Sequence, residues 1–214
     1  MDISMENYVI TIARGFGSGG KQIALQLAKK LGIECYENRV LYLASEMCEV
    51  DNKKILDVNE KLEKKSFSKV LREIPRQIIP LPITRTFKSE DLLFEAQAEI
   101  IRNLAKTESC VIVGKCADYI LQQYDNVISI YIEAPRFYCV KRLMEKTGCE
   151  KKEAHMLIEK TDKYRGEYYK YYTKGNYWTN PVNYDMTLNS EKLGETNCIE
   201  MIKQAVRLKL KQDI

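Results

Sequence analysis

The residues with the clearest chemical spacing are Gly15-Phe16-Gly17-Ser18-Gly19-Gly20-Lys21-Gln22, a G-x-x-x-x-G-K pattern. A phosphate chain is held by several backbone N–H groups pointing inward, and glycines let a chain curl that tightly without Cβ clashes. A helix starting near Gly20 would add the positive end of its dipole. Lys21 is long enough to reach β- and γ-phosphates and to follow charge as it develops. Gly15, Gly17, Ser18, Gly19, Gly20, Lys21 and Gln22 are therefore the expected cofactor-binding residues for ATP. Gln22 stands where such loops carry a Ser or Thr that binds Mg²⁺. An amide oxygen is a poorer and longer ligand, so the metal is expected on Ser18, on Gln22, or on water.

A glycine loop works only between a strand and a helix. Tyr8 to Ala13 is a short, β-rich apolar run. After Lys21, Ile23, Ala24, Leu27, Ala28 and Leu31 form a helical stripe that stops at Gly32. Further strands are expected at Ile33–Tyr36, Cys110–Val113, Val127–Ile132 and Tyr184–Leu188. Helices are expected from Asn38 to Met47, Ser89 to Ala105, through Ala117 and Leu121, over Arg136–Lys146 and Lys151–Tyr172, and at the C-terminus. Residues 51–76 are helical in composition, and Pro80 and Pro82 interrupt the segment that follows. Continuous apolar strands alternating with helices predict a parallel sheet covered on both faces, with ligands past the carboxyl ends of the strands.

Composition narrows the rest. The chain has 214 residues, 45% hydrophobic and 30% charged, which fits one compact domain. A net charge of +4 is too small to argue for nucleic acid, and no apolar run approaches the ~20 residues that cross a bilayer. The acidic N-terminus is unlike a signal peptide, so a cytoplasmic protein is expected. Seven cysteines without CxxC spacing read as reduced core thiols, and a single histidine, His155, excludes a multi-His metal site. GTPase motifs (DxxG, N/TKxD) are absent, which leaves a small kinase.

Basic and aromatic residues crowd one stretch. Residues 141–174 hold ten basic and six acidic side chains, and six tyrosines fall between Tyr164 and Tyr177, followed by Trp178. Arginines clamp phosphates and aromatic faces stack on bases, although most of these tyrosines are expected to pack on the core. Asp162 and Arg165 sit i, i+3 on one helix face and also suit a plain ion pair.

Three stretches carry a resemblance: 10–32 (ITIARGFGSGGKQIALQLAKKLG), 94–121 (FEAQAEIIRNLAKTESCVIVGKCADYIL), and 161–173 with 180–190 (TDKYRGEYYKYYT, NPVNYDMTLNS). The chain resembles the cytidylate-kinase-like family of bacterial P-loop proteins, relatives of bacterial CMP kinase. The resemblance implies a P-loop NTPase three-layer α/β fold, with a five-stranded parallel sheet flanked by helices and with helical acceptor and lid subdomains. It implies one kinase-like domain over 1–214, an acceptor-binding insert at about 37–90 and a lid at about 141–178. It also implies ATP- and Mg²⁺-dependent phosphoryl transfer to a nucleoside monophosphate such as CMP.

By the same resemblance Lys21, Arg142 and Arg165 are catalytic, with Lys141 beside Arg142. Asn38, Arg39, Lys115, Asp162 and Arg165 bind the acceptor. The chain departs from CMP kinase on the acceptor side. Gly114-Lys115-Cys116 replaces Gly-Arg-Asp, with Asp118 the nearby acid. Leu43 falls where a substrate-binding arginine is expected. The expected partners are small nucleotides, with no nucleic acid and no membrane. An ATP-binding sensor and a kinase of a non-nucleotide metabolite remain open alternatives.

Overall fold

The computed structural model describes residues 7–49, 72 and 87–211. The expectations for helix over 51–76 and for the Pro80/Pro82 segment lie outside the described residues, Arg72 excepted. In chain order the elements are β1 (Val9–Arg14), α1 (Gly20–Leu31), β2 (Glu34–Tyr36), α2 (Asn38–Glu49), α3 (Phe87–Thr107), β3 (Cys110–Val113), α4 (Ala117–Ile120), β4 (Val127–Glu133), α5 (Arg136–Thr147), α6 (Lys151–Tyr172), β5 (Met186–Asn189) and α7 (Ser190–Leu210). A single 3₁₀ turn, Pro181–Asn183, precedes β5.

The five strands form one sheet in the order β2-β3-β1-β4-β5, and every pair is parallel. Val9 lies opposite Cys110 on one side and Val127 on the other, so β1 is the centre of the sheet. Alternation along the strands decides the layers. Val9, Cys110 and Ile112 pack with Val40, Ile101 and Leu104 of α2 and α3. Ile10, Ile12, Val111 and Val113 pack with Ile23, Leu27, Ile199 and Ile202 of α1 and α7. Both faces are covered, which is why these strands read as unbroken apolar runs.

Strand and helix boundaries moved little from the sequence reading. α3 starts at Phe87 rather than Ser89, and the last strand is Met186–Asn189 rather than Tyr184–Leu188. Six described cysteines, at 35, 110, 116, 139, 149 and 198, are free thiols. His155 is exposed. Among the described residues no helix is long and apolar enough to cross a membrane.

Candidate functional site

The carboxyl ends of β1, β2, β3 and β4 bring Arg14, Glu37, Gly114-Lys115 and Glu133 to one edge of the sheet. Two cavities open there. One, of about 530 Å³, is lined by the glycine loop (Gly15, Phe16, Gly17, Gly19, Gly20, Lys21, Gln22) together with Glu37, Arg142 and Lys146. The other, of about 310 Å³, is lined by Lys115, Asp118, Gln97 and an aromatic group from Tyr164 to Tyr184. Arg14 and Arg165 belong to the walls of both.

The glycine loop is built by left-handed residues. Gly17 (φ 89°) and Gly19 (φ 85°) turn the chain from β1 into α1, a conformation that L side chains rarely adopt. Ser18 holds the curl from inside: its hydroxyl donates to the Gly15 carbonyl at 2.9 Å and accepts from the Gly20 amide at 3.3 Å. Its own carbonyl accepts from the Ser190 hydroxyl at 2.5 Å, which pins the loop to α7. The amides of Gly15, Phe16, Ser18 and Gly20 are thereby used within the protein. Those of Gly17, Gly19, Lys21 and Gln22 have no partner among the described residues, and all four residues line the larger cavity. Several free N–H groups at a helix N-terminus make an anion cradle, so the loop fits a polyphosphate.

This geometry corrects the expected metal role of Ser18. Its side chain is fully buried and bonded to the loop's own backbone, so it does not face the cavity. Gln22 does line the cavity, and Glu37 and Glu145 are the carboxylates on the same wall. Among the described residues no group of three or more His, Cys, Asp or Glu could hold a metal by itself. A magnesium ion would depend chiefly on nucleotide oxygens and water, with Gln22, Glu37 and Glu145 the side-chain oxygens that line the cavity.

Charge is arranged around Glu37. It is ion-paired with Lys21 and with Arg14, the latter at 3.0 Å. Burial works to raise the Glu37 pKa, but the Lys21 hydrogen bond and the Arg14 and Lys21 charges prevail and hold it below the usual carboxylate range. Burial lowers the Arg14 pKa, and Glu37 opposes that shift. Arg165 is lowered to about 10 by burial and by the Arg14 charge. Lys115 comes down to about 8 for the same two reasons. Like cations crowded together await an anion.

α5 and α6 carry the remaining expected residues. Asp162 accepts the Phe16 amide at 2.8 Å, and Arg165 donates to the Arg14 carbonyl at 3.1 Å, so one turn of α6 is tied to the loop at two points. Asp162 and Arg165 are also an i, i+3 pair at 3.5 Å. Asp162 is thus engaged with loop backbone and lines neither cavity. Arg142 lines the larger cavity and pairs with Glu195 of α7 at 2.7 Å.

The expected acceptor contact of Arg39 is corrected. Arg39 is 3% exposed, donates to Glu34 and to the Cys35 carbonyl at 2.8 Å, and stacks on Tyr36, because its guanidinium is turned back into the core. Asn38 opens α2 and lines neither cavity. Lys141 is also misplaced for catalysis: it lies 74% exposed beside Glu145 on the outer face of α5. Lys115 lines the smaller cavity.

The smaller cavity holds residues that the sequence did not single out. Arg14, the last residue of β1, is one; a cation directly before a glycine loop was the available signal. Gln97 and Tyr184 are others, separated by 87 residues and joined only by the fold. The tyrosines divide. Tyr169 is buried, Tyr168 and Tyr172 pack around Phe94, and Tyr171 and Tyr177 are exposed. Tyr168, Tyr169, Trp178 and Tyr184 both pack and line the cavity, and Tyr164, largely exposed, lines it too.

A structure of an uncharacterised protein from Eubacterium ventriosum is similar at 27% identity and a TM-score of 0.67, covering 94% of this chain and 98% of the other. TT1252 from Thermus thermophilus shares the fold at 16% identity and a TM-score of 0.52, covering 96% and 98%. A shikimate kinase from Bacteroides thetaiotaomicron aligns at 16% identity and a TM-score of 0.48, covering 96% and 99%. Among curated proteins nothing matches. The sheet order and glycine loop agree with the family comparison, in which the model for the cytidylate kinase-like family matches residues 9–192; the chain belongs to that kinase-like family.

Proposed function

We propose that this protein transfers the γ-phosphoryl group of ATP to a nucleoside monophosphate such as CMP. The observation that carries the reading is the shared wall. A loop with four free amides faces one cavity, an aromatic slot lies beside it, and Arg14 and Arg165 border both. A flat base would stack on one of the rings that line this cavity, such as Tyr168 or Trp178, with its phosphate toward Arg14, Lys115 and Arg165.

In this reading the loop amides and Lys21 hold the β- and γ-phosphates. An oxygen of the acceptor phosphate attacks the γ-phosphorus, the new P–O bond forms, and the bond to the β-phosphate oxygen breaks with its electrons leaving on ADP. No general base is needed, because the attacking oxygen is already anionic. Lys21, Arg142 and Arg165 neutralise charge spread over the transferring oxygens. Mg²⁺ supplies further neutralisation when it is bound with the nucleotide. Small nucleotides are the proposed partners, without nucleic acid or membrane, and the cytoplasm is the proposed site of work.

Coupled ADP release, measured with ATP, Mg²⁺ and a panel of CMP, UMP, AMP and hydroxylated metabolic acids, tests this. Release stimulated by a nucleoside monophosphate supports it. Stimulation only by a hydroxylated acid replaces it with a metabolite kinase. Saturable ATP binding with no stimulated release by any acceptor replaces it with a sensor.

A further inference from the structure

We infer that Glu195 is a positioning residue for phosphoryl transfer: it holds the Arg142 guanidinium against the glycine loop, where that cation meets the transferring group. The inference rests on the ATP-dependent transfer proposed above and holds for any acceptor.

The pair joins three elements, because Arg142 comes from α5, Glu195 from α7 and the loop from the start of α1. Arg142 Nη2 donates to Glu195 Oε1 at 2.7 Å, and Nη1 donates to the Tyr138 hydroxyl at 3.3 Å. The guanidinium carbon also lies 5.6 Å from the centroid of the Tyr138 ring. The second carboxylate oxygen, Glu195 Oε2, accepts from Gln26 Nε2 of α1 at 3.0 Å. Both oxygens are thus committed, and the carboxylate cannot turn without losing a bond.

Two glycines shape this arrangement. A Cβ on Gly19 would stand 3.1 Å from Arg142 Nη2 and 3.3 Å from Glu195 Oε1, so the ion pair lies on the bare face of the loop. Gly194 (φ 76°, ψ 157°) interrupts α7 in a conformation that is essentially glycine's own, and Glu195 follows it at once. A Cβ at Gly194 would meet nothing within 4 Å, so the backbone angle and not crowding calls for glycine.

The guanidinium has more N–H donors than these two bonds use, and Arg142 lines the cavity that the loop's free amides face. A long arginine on a helix surface otherwise samples many rotamers. A cation that must meet charge as it develops works best when it is already in place. Glu195, Tyr138 and the Gly19 backbone supply that placement before ATP arrives. The Arg142 and Glu195 side chains are 27% and 26% exposed, so removing the carboxylate strands no buried charge and the fold is kept.

The test is a double-mutant cycle on the full chain. It reads kcat and the KM for ATP in ADP release, with whichever acceptor of the panel gives the fastest release. We expect Glu195→Ala to lower kcat about tenfold and to leave the KM for ATP within about twofold, because the lost interaction counts where charge develops. Glu195→Gln, which keeps an oxygen for Arg142, should recover most of kcat. Arg142→Met is itself expected to be about a hundredfold slow. In that background Glu195→Ala should change kcat by less than about twofold, since its effect runs through the guanidinium. Native or raised kcat in Glu195→Ala, or an equal loss with and without Arg142, overturns the inference and leaves the transfer reading standing. No ADP release from the native chain with any acceptor overturns that reading as well.

Discussion

Lys21 on the first turn of α1 is ion-paired with Glu37 at the end of β2, 16 residues away. The Lys21 side chain is 47% exposed, so the pair contributes at most about 1 kcal/mol to the fold. Lys21→Ala therefore separates catalysis from stability. We expect kcat to fall by about a hundredfold or more, the scale for losing one cation at developing charge, with the thermal midpoint moving by no more than about 4 °C. Steady-state ADP release alongside a melting curve checks both; normal turnover would remove Lys21 from the mechanism.

The Asp162–Phe16 bond predicts a different signature. It fixes the loop from α6 without lining either cavity. Removing a charge-assisted hydrogen bond costs roughly 1.5–3 kcal/mol. Asp162→Ala should release the loop and weaken ATP binding about tenfold, while the acceptor slot keeps its shape. Titration calorimetry with ATP and Mg²⁺ reads this directly. An unchanged ATP affinity would mean that the loop is rigid without α6.

What the sequence made legible follows from range. The strand–loop–helix around Gly15–Lys21 is encoded by neighbours, and so are α5 and α6, whose bounds fell within a residue of expectation. Side-chain direction is not encoded that way. Arg39 reads as a substrate arginine, yet Glu34 and Tyr36 draw it into the core. Ser18 reads as a metal ligand, yet the tight curl between Gly17 and Gly19 turns its hydroxyl inward. Gln97 and Tyr184 look unremarkable singly and gain meaning only when α3 and the turn before β5 meet at one cavity.

Asp118 also carries a stability prediction. Its folded pKa, about 6, lies above its ordinary value of 3.8. Between those values the folded state holds the proton more tightly than the unfolded chain. Stability from this group is therefore complete below about pH 4 and is lost as pH rises through 6, by up to about 3 kcal/mol. Asp118→Asn keeps an oxygen for the Tyr169 hydroxyl and removes the buried charge. The variant should melt higher than the native chain at pH 7.5, and the gap should shrink steadily as pH falls toward 4. A lower midpoint at pH 7.5 would show that a donor, not burial, dominates the Asp118 environment.

Lys115 gives the opposite pH limb. Burial and the Arg14 charge bring it down to about 8, so its cation is lost as pH rises past that point. An acceptor phosphate placed beside it would restore the charge, because an anion favours the protonated amine. The loss then appears in kcat/KM, which reports the free enzyme, and not in kcat. For a nucleoside monophosphate acceptor, kcat/KM should decline from pH 7.5 to 9.5 while kcat stays level. Lys115→Arg, whose guanidinium stays charged across the range, should flatten that decline. Lys115→Met should lower kcat/KM at pH 7 about tenfold or more and leave no limb to titrate. A decline that persists in Lys115→Met would belong to another group, and Lys115 would lose its place as a phosphate ligand.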